Sequence, residues 1–205
     1  MKKTMICLGL LAASSPAISA TLDVSVRDAA GKPVANAVVT VVSAAGAPAA
    51  PPRFPWPARV TQQDIRFDPY VLIVPVGAVV AFPNKDKVRH HVYSFSKAKK
   101  FDLKLYGRDE SRTVTFDKAG AVAVGCNIHD GMTAFVKVVD TPWAAKTDAA
   151  GRVSLTGLPA GPAKIQVWHP YARVKGNAVA VAVSLPARGT TARAVSLALA
   201  PGHQR

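Results

Sequence analysis

Apolar and polar residues alternate along most of the chain, and this alternation predicts short β-strands. In the first run, Leu22, Val24 and Val26 alternate with polar neighbours, which is typical of a strand with one buried face. A second strand is predicted over residues 38–42. Two strands alone do not make a stable domain, so their partners must come later in the chain.

Later runs of the same kind extend the prediction to the whole chain, and no segment after residue 20 has the period of an amphipathic helix. Closely spaced turns between short strands suit a β-sandwich, so the predicted fold class is all-β. The further predicted strands cover residues 64–67, 70–74, 78–82, 112–116, 121–126, 133–139, 153–155, 164–169, 179–185 and 195–199, and one more strand carries His90 and His91.

The first twenty residues have the composition of an export signal. Lys2 and Lys3 precede a short apolar run, and small residues lead to a predicted cleavage site after Ala20. The run is too short to span a bilayer. We therefore expect a periplasmic protein with no transmembrane segment after cleavage of the signal.

Removal of this signal would leave Cys126 as the single cysteine. One thiol cannot form an internal disulfide, and a free thiol is a liability in an oxidising compartment. Metal ligation would remove that liability.

Cys126, His129 and Met132 lie within seven residues, between two predicted strands. A soft thiolate, imidazoles and a weak thioether are the ligands that suit copper. Zinc also accepts cysteine and histidine, but a methionine ligand argues against zinc. The spacing therefore predicts that these three residues bind one copper ion.

A second imidazole must come from elsewhere, and His90 and His91 are both candidates. Taken singly, a buried cysteine is more often an inert apolar residue and a methionine is more often core. The combination favours a metal site. His169 and His203 stand alone and are predicted to be structural or exposed.

Residues 61–140 resemble a cupredoxin, the blue copper family of plastocyanin and amicyanin, including proteins labelled methylamine utilization protein-like. The Cys-x-x-His-x-x-Met spacing resembles the ligand loop of amicyanin, and Asn84, six residues before His90, matches an asparagine of the family. The resemblance implies a Greek-key β-sandwich with one type 1 copper ion on His90, Cys126, His129 and Met132. The family usually has asparagine where this chain has His91.

A second resemblance covers residues 21–42 and 146–170, which are similar to the two halves of a carboxypeptidase regulatory-like (Ig-like, transthyretin-like) β-sandwich. The alternating runs of the tail are expected to complete its sheet. It rests on Asp-x-x-Gly-Lys-Pro from Asp28 and on Thr-Asp-x-x-Gly-Arg from Thr147. The copper domain would be inserted into this module or would follow it in close contact. The simpler alternative is two tandem modules with the first strands swapped or appended. The predicted divisions are a signal peptide (1–20), first Ig-like strands (21–42), a Pro/Ala-rich linker (43–60), the copper domain (61–140) and the rest of the Ig-like module (141–205).

Phe54 and Trp56, in the predicted linker, have two interpretations: packing on a neighbouring domain, which is the commoner fate of isolated aromatic residues, or a binding motif. No function is assigned to them.

The charge of the chain adds a clue to its partners. The net charge is +14, and loss of Lys2 and Lys3 with the signal leaves +12. Such an excess favours acidic partners or anionic surfaces, although a merely solubilising surface is an equal alternative. Nucleic acid is not expected without a recognition motif. The densest basic stretch contains Lys97, Lys99, Lys100, Lys104 and Arg108.

Three strong ligands and one weak ligand leave no open position for a substrate, so an enzyme is not expected. Cupredoxins carry single electrons, and the resemblance implies this role, with an acidic redox protein such as a cytochrome or a dehydrogenase as partner. Two alternatives remain: a periplasmic copper carrier or scavenger, and an Ig-like binding module in which copper is a structural staple.

Overall fold

The structure, a computed structural model, describes residues 19–201. Almost all of the predicted signal, and also His203, lie outside these residues. Within them the one helical element is a three-residue 3-10 turn, Lys175–Asn177, and the predicted all-β fold class is confirmed. The strands are β1 (Ala20–Arg27), β2 (Val38–Ser43), β3 (Thr61–Gln63), β4 (Arg66–Asp68), β5 (Val71–Pro75), β6 (Ala78–Pro83), β7 (His90–Ser96), β8 (Lys99–Tyr106), β9 (Ser111–Phe116), β10 (Gly120–Cys126), β11 (Thr133–Val139), β12 (Ala144–Lys146), β13 (Arg152–Leu158), β14 (Gly161–Trp168), β15 (Ala178–Leu185) and β16 (Gly189–Ser196).

Residues 20–43 and 144–196 form one sandwich, called sandwich A below. Its sheets have the strand orders β13-β1-β16 and β12-β2-β14-β15. The alternation predicted for β1 is present, with Leu22, Val24 and Val26 at most 2% exposed. These side chains share one core with Val39 and Ile165 of the facing sheet. Burial of this alternating face holds the first and last parts of the chain together.

Residues 61–139 form the other sandwich, called sandwich B below. A five-stranded sheet of order β5-β11-β10-β7-β8 is accompanied by the pairs β6-β9 and β3-β4. Val92, Val122 and Val124 from the large sheet share a core with Phe82 and Phe116 of the β6-β9 pair. The large sheet is antiparallel except for β5, which runs parallel to β11.

A third apolar cluster joins the two sandwiches. Val38 and Trp168 of sandwich A pack with Val71 and Ile73 of sandwich B. Residues 44–60 contain no strand, and they place the stacked Phe54 and Trp56 rings, 5.0 Å apart, against the same cluster. The indole N–H of Trp56 donates to the carbonyl of Ile73 at 2.8 Å. The packing interpretation of these two aromatic residues is confirmed, whereas the predicted domain boundaries stay predictions.

Several strands differ from the prediction. β3 and β12 were not predicted, and the strand predicted over residues 64–67 is wrong, because Asp64 and Ile65 form the turn between β3 and β4. The last strand is β16 and does not cover residues 195–199 as predicted. Its backbone pairs in parallel with β1, starting with Gly189 opposite Ala20. Because β16 is an edge strand with few apolar residues, its first part shows no apolar alternation in the sequence.

β8 was not predicted, although Phe101, Leu103 and Leu105 alternate with Asp102 and Lys104; the three lysines of this edge strand are also typical of an exposed basic stretch. Lysine on an edge strand discourages pairing with another chain. Among the described residues, no helix is long and apolar enough to cross a membrane.

Candidate metal centre

The pairing of β7 with β10 brings the distant parts of the site together. The strands are antiparallel, with Gly125 opposite Tyr93 and Cys126 opposite Val92. Cys126 ends β10 and His90 begins β7, so both lie at the same end of sandwich B. Cys126 is 8% exposed and shares the core with Val122 and Val124, as the alternation predicted.

Alternation along β7 separates the two candidate histidines. His90, Val92 and Ser94 are buried on the core side, and His90 is 0% exposed. His91 points to the other face, where its Nε2 lies 2.6 Å from Asp102 Oδ1. The structure therefore brings His90, and not His91, to the cysteine. Neighbouring residues of a strand cannot share a face.

Three donor atoms converge at this end of sandwich B. The Nδ1 atoms of His90 and His129 are 3.1 Å apart, and Cys126 Sγ lies 3.8 Å from the first and 3.6 Å from the second. All three atoms lie within 4.8 Å of one another. Two imidazole nitrogens and one thiol sulfur form a donor set that copper and zinc both accept, so the residues fit a bound metal ion.

Met132 lies beside this cluster in the short loop between β10 and β11. Its side chain is 3% exposed and belongs to the same apolar core as Cys126. The Cys126 N–H donates to the Met132 carbonyl at 3.1 Å, and the Met132 N–H donates to the His129 carbonyl at 3.3 Å. Gly131, with a φ of +79, lets the chain reverse its direction within this loop. The loop thus holds three of the four predicted ligands in a closed turn.

Asp86 is a part of the site that the sequence prediction missed. Its Oδ2 lies 2.7 Å from His90 Nε2, the ring nitrogen directed away from the cluster. Burial acts to raise the pKa of the Asp86 carboxyl, but hydrogen bonds from His90 and from the backbone N–H groups of Ile65 and Asp64 outweigh burial and keep the pKa below its ordinary value. An acidic residue four positions before His90 was the available signal, but in a lysine-rich loop it resembles a solvated charge.

A buried polar network supports the loop that carries Asp86. The Asn84 side-chain amide donates to the carbonyl of Val88 at 2.9 Å and to that of Tyr106 at 3.3 Å. The Tyr106 hydroxyl accepts from Gln62 at 2.6 Å and donates to the Phe82 carbonyl at 2.8 Å. Burial raises the pKa of Tyr106 well above its ordinary value, so the phenol keeps its proton and this network stays intact.

The surface next to the cluster is partly apolar. His129 is half-buried, and its neighbour Ile128 is 49% exposed. Val88, in the loop between β6 and β7 that also carries Asn84 and Asp86, is 43% exposed. The cluster is therefore closed on the core side and comes near solvent at the ligand loop.

No protein-family model and no curated protein matches the sequence. Among solved structures, the chain is similar to a novel purple cupredoxin from Nitrosopumilus maritimus, with 21% identity, 40% of this chain and 99% of that chain covered, and a TM-score of 0.37. It is also similar to the reduced state of an amicyanin mutant, with 21% identity, 49% and 98% coverage, and a TM-score of 0.38.

A third similar structure is the copper-containing nitrite reductase from Thermus scotoductus SA-01, with 29% identity, 45% of this chain and 24% of that chain covered, and a TM-score of 0.39. At such TM-scores these similarities add nothing to what the geometry of the cluster shows.

Proposed function

We propose that this protein is an exported type 1 copper protein that carries single electrons between periplasmic redox partners. The observation that carries the proposal is the convergence of His90 Nδ1, His129 Nδ1 and Cys126 Sγ within 4.8 Å in an apolar setting. Met132, buried in the adjoining turn, would complete the ligand set as the weak thioether. This combination of soft sulfur and imidazole ligands favours copper over zinc.

His90, Cys126, His129 and Met132 would hold the copper ion, and a Cu(II)/Cu(I) couple held there would supply one-electron exchange between a donor protein and an acceptor protein. The residues of the chain would make this exchange fast by moving little. His90 is held on the large sheet, Cys126 ends the neighbouring strand, and the turn to Met132 is closed by backbone hydrogen bonds. Burial of the cysteine and of His90 limits access of water to the ligands.

The basic stretch after β7 is the proposed site of attraction for an acidic redox partner, such as a cytochrome or a dehydrogenase. Three of its five cations already have carboxylate partners: Lys99 with Asp117, Lys104 with Asp102, and Arg108 with Asp109. Among the described residues, Lys97 and Lys100 have no ion-pair partner. Exposed charges of this kind act mainly on the association rate and are screened by salt. Electron transfer to an acidic partner should therefore slow as ionic strength rises.

The test is a voltammetric titration of the copper-loaded protein without its signal, followed by incubation of the reduced form with a Cu(I) chelator. A reversible one-electron couple with retained copper supports electron transfer. Transfer of the Cu(I) to the chelator or to an acceptor protein would instead identify a copper carrier, and partner binding unchanged by copper removal would make copper a structural staple. His91→Asn, outside the cluster, is the matched control for His129→Asn, which should abolish the couple.

A further inference from the structure

Asp86 contacts the ligand histidine on the side that faces away from the metal centre. Its Oδ2 lies 2.7 Å from His90 Nε2, while His90 Nδ1 faces Cys126 and His129. A neutral imidazole carries one N–H, and its other nitrogen keeps a lone pair. If Nε2 donates its N–H to Asp86, the lone pair is on Nδ1, which is the atom that the cluster needs. The contact thus selects the tautomer of His90.

The carboxylate cannot easily turn away from His90, because backbone groups hold both of its oxygens. The N–H of Asp64 donates to Oδ1 at 2.6 Å, and the N–H of Ile65 donates to Oδ2 at 3.1 Å. The N–H of Asp86 itself donates to Asn84 Oδ1 at 2.9 Å. The Asp86 side chain is only 11% exposed. A carboxylate fixed in this way is preorganised to act on one neighbour.

The backbone conformation of the β3–β4 turn is consistent with this arrangement. Asp64 and Ile65 have φ values of 54 and 52, a left-handed conformation that a β-branched residue such as isoleucine rarely adopts. Both of their N–H groups point at Asp86. The turn is therefore shaped around the carboxylate, at the cost of local strain.

We infer that Asp86 is a positioning residue that fixes the tautomer of His90 and lowers the reduction potential of copper bound there. This inference rests on the proposed function. A negative charge one imidazole away stabilises Cu(II) more than Cu(I), since Cu(II) carries the larger charge. The hydrogen bond also makes His90 a more basic ligand. Neutralising Asp86 should shift the Cu(I)/Cu(II) ratio at fixed ambient potential about tenfold toward Cu(I), which is about 59 mV for a one-electron couple.

The chain offers a matched control one residue further along β7. His91 Nε2 and Asp102 Oδ1 form a pair of the same kind, 2.6 Å apart, but His91 is outside the cluster. The side chains of this pair are 22% and 41% exposed, so water screens the charge of Asp102. Asp102→Asn should therefore leave the potential nearly unchanged.

The experiment is a spectroelectrochemical titration of the copper-loaded wild type, Asp86→Asn and Asp102→Asn. The expected result is a rise of about tenfold in the Cu(I)/Cu(II) ratio for Asp86→Asn and a change of less than about twofold for Asp102→Asn. An Asp86→Asn potential equal to or below that of the wild type would overturn the inference. If the wild type forms no thiolate–copper bond, the proposed function fails instead.

Asp86→Asn also removes the acceptor of the two turn N–H groups, and a disturbed β3–β4 turn could itself change the reduction potential. A variant in the turn separates this possibility from the effect of the charge. Ile65→Gly removes the strain at φ 52 and lets the turn form without its anchor. The potential shift should persist in Asp86→Asn combined with Ile65→Gly, and Ile65→Gly alone should leave the potential unchanged. A shift that disappears in the combined variant would attribute it to the turn and refute a role for the charge.

The tautomer can be read in the wild type without any substitution or copper. Long-range proton–nitrogen correlation NMR of the copper-free protein should show His90 with its proton on Nε2. A proton on Nδ1 with a bare Nε2 would contradict the assignment to Asp86, whatever the protein does with copper.

Discussion

Acidification should destabilise sandwich A through His169, which follows β14 and is 1% exposed. Its Nδ1 accepts a hydrogen bond from the Tyr171 N–H at 3.3 Å. Burial lowers the pKa of this imidazole from 6.5 to about 4, because a charged ring would lose its hydration and its Nδ1 would face another donor. In the unfolded chain the imidazole is hydrated and keeps its ordinary pKa of about 6.5.

The sign follows from proton uptake. Between pH 6.5 and 4 the unfolded state binds a proton at this residue and the folded state does not, so the free energy of unfolding falls as the pH falls. One pKa unit is worth about 1.4 kcal/mol, and the full difference is therefore about 3 kcal/mol. Relative to pH 7, about 2 kcal/mol of this is lost at pH 5. Ordinary aspartates titrate below that point.

The assay is denaturant unfolding of the copper-free protein and of His169→Asn between pH 5 and 7. Asparagine offers an oxygen near the position of Nδ1 and does not titrate, so the variant should lose less stability on acidification than the wild type, by about 2 kcal/mol. A difference between the two proteins that stays constant with pH would refute the account of His169, whether or not asparagine lowers stability at pH 7.

Two further substitutions test how sandwich A is closed. At Gly151, φ is +73 and an added Cβ would clash with the Val26 carbonyl, whereas at Gly157, with the same φ, it would meet nothing within 4 Å. Gly151→Ala should therefore lower the free energy of unfolding by about 1–3 kcal/mol more than Gly157→Ala does, measured by thermal unfolding. Equal losses would contradict the clash. The Thr147 hydroxyl accepts from the Ala37 N–H at 3.0 Å and donates to the Val34 carbonyl at 2.7 Å. Thr147→Val should therefore cost about 1–3 kcal/mol in the same assay, while Thr115→Val on the exposed face of β9 should change stability by less than about 0.5 kcal/mol.

Much of the fold could be predicted because most strands alternate apolar and polar residues with a period of two. The period of two placed Leu22, Val24 and Val26 inside sandwich A and directed Cys126 inward, and the structure agrees. β8 was missed because three lysines within eight residues also indicate an exposed charged stretch, although Phe101, Leu103 and Leu105 alternate with polar residues. Pattern alone could also not show which segments share a core.

The residue types of the candidate metal ligands could be predicted from the sequence, but the residues that hold these ligands in place could not. Three candidate donors were close in sequence, and their chemistry indicated a metal. The choice between His90 and His91 depends on which face of β7 is buried, and the sequence left that open. The role of Asp86 depends on contacts with residues 64–65 and with His90. Contacts of that kind arise only when separate loops meet in space.

The most direct test of the metal centre is the visible and EPR spectrum of the protein lacking residues 1–20 after Cu(II) addition, recorded beside Cys126→Ser. The account predicts an intense thiolate-to-copper absorption band and a narrow hyperfine splitting in the wild type, both absent from the variant. A colourless wild type, or ordinary Cu(II) signals that survive the loss of the thiol, would contradict a copper site built on Cys126.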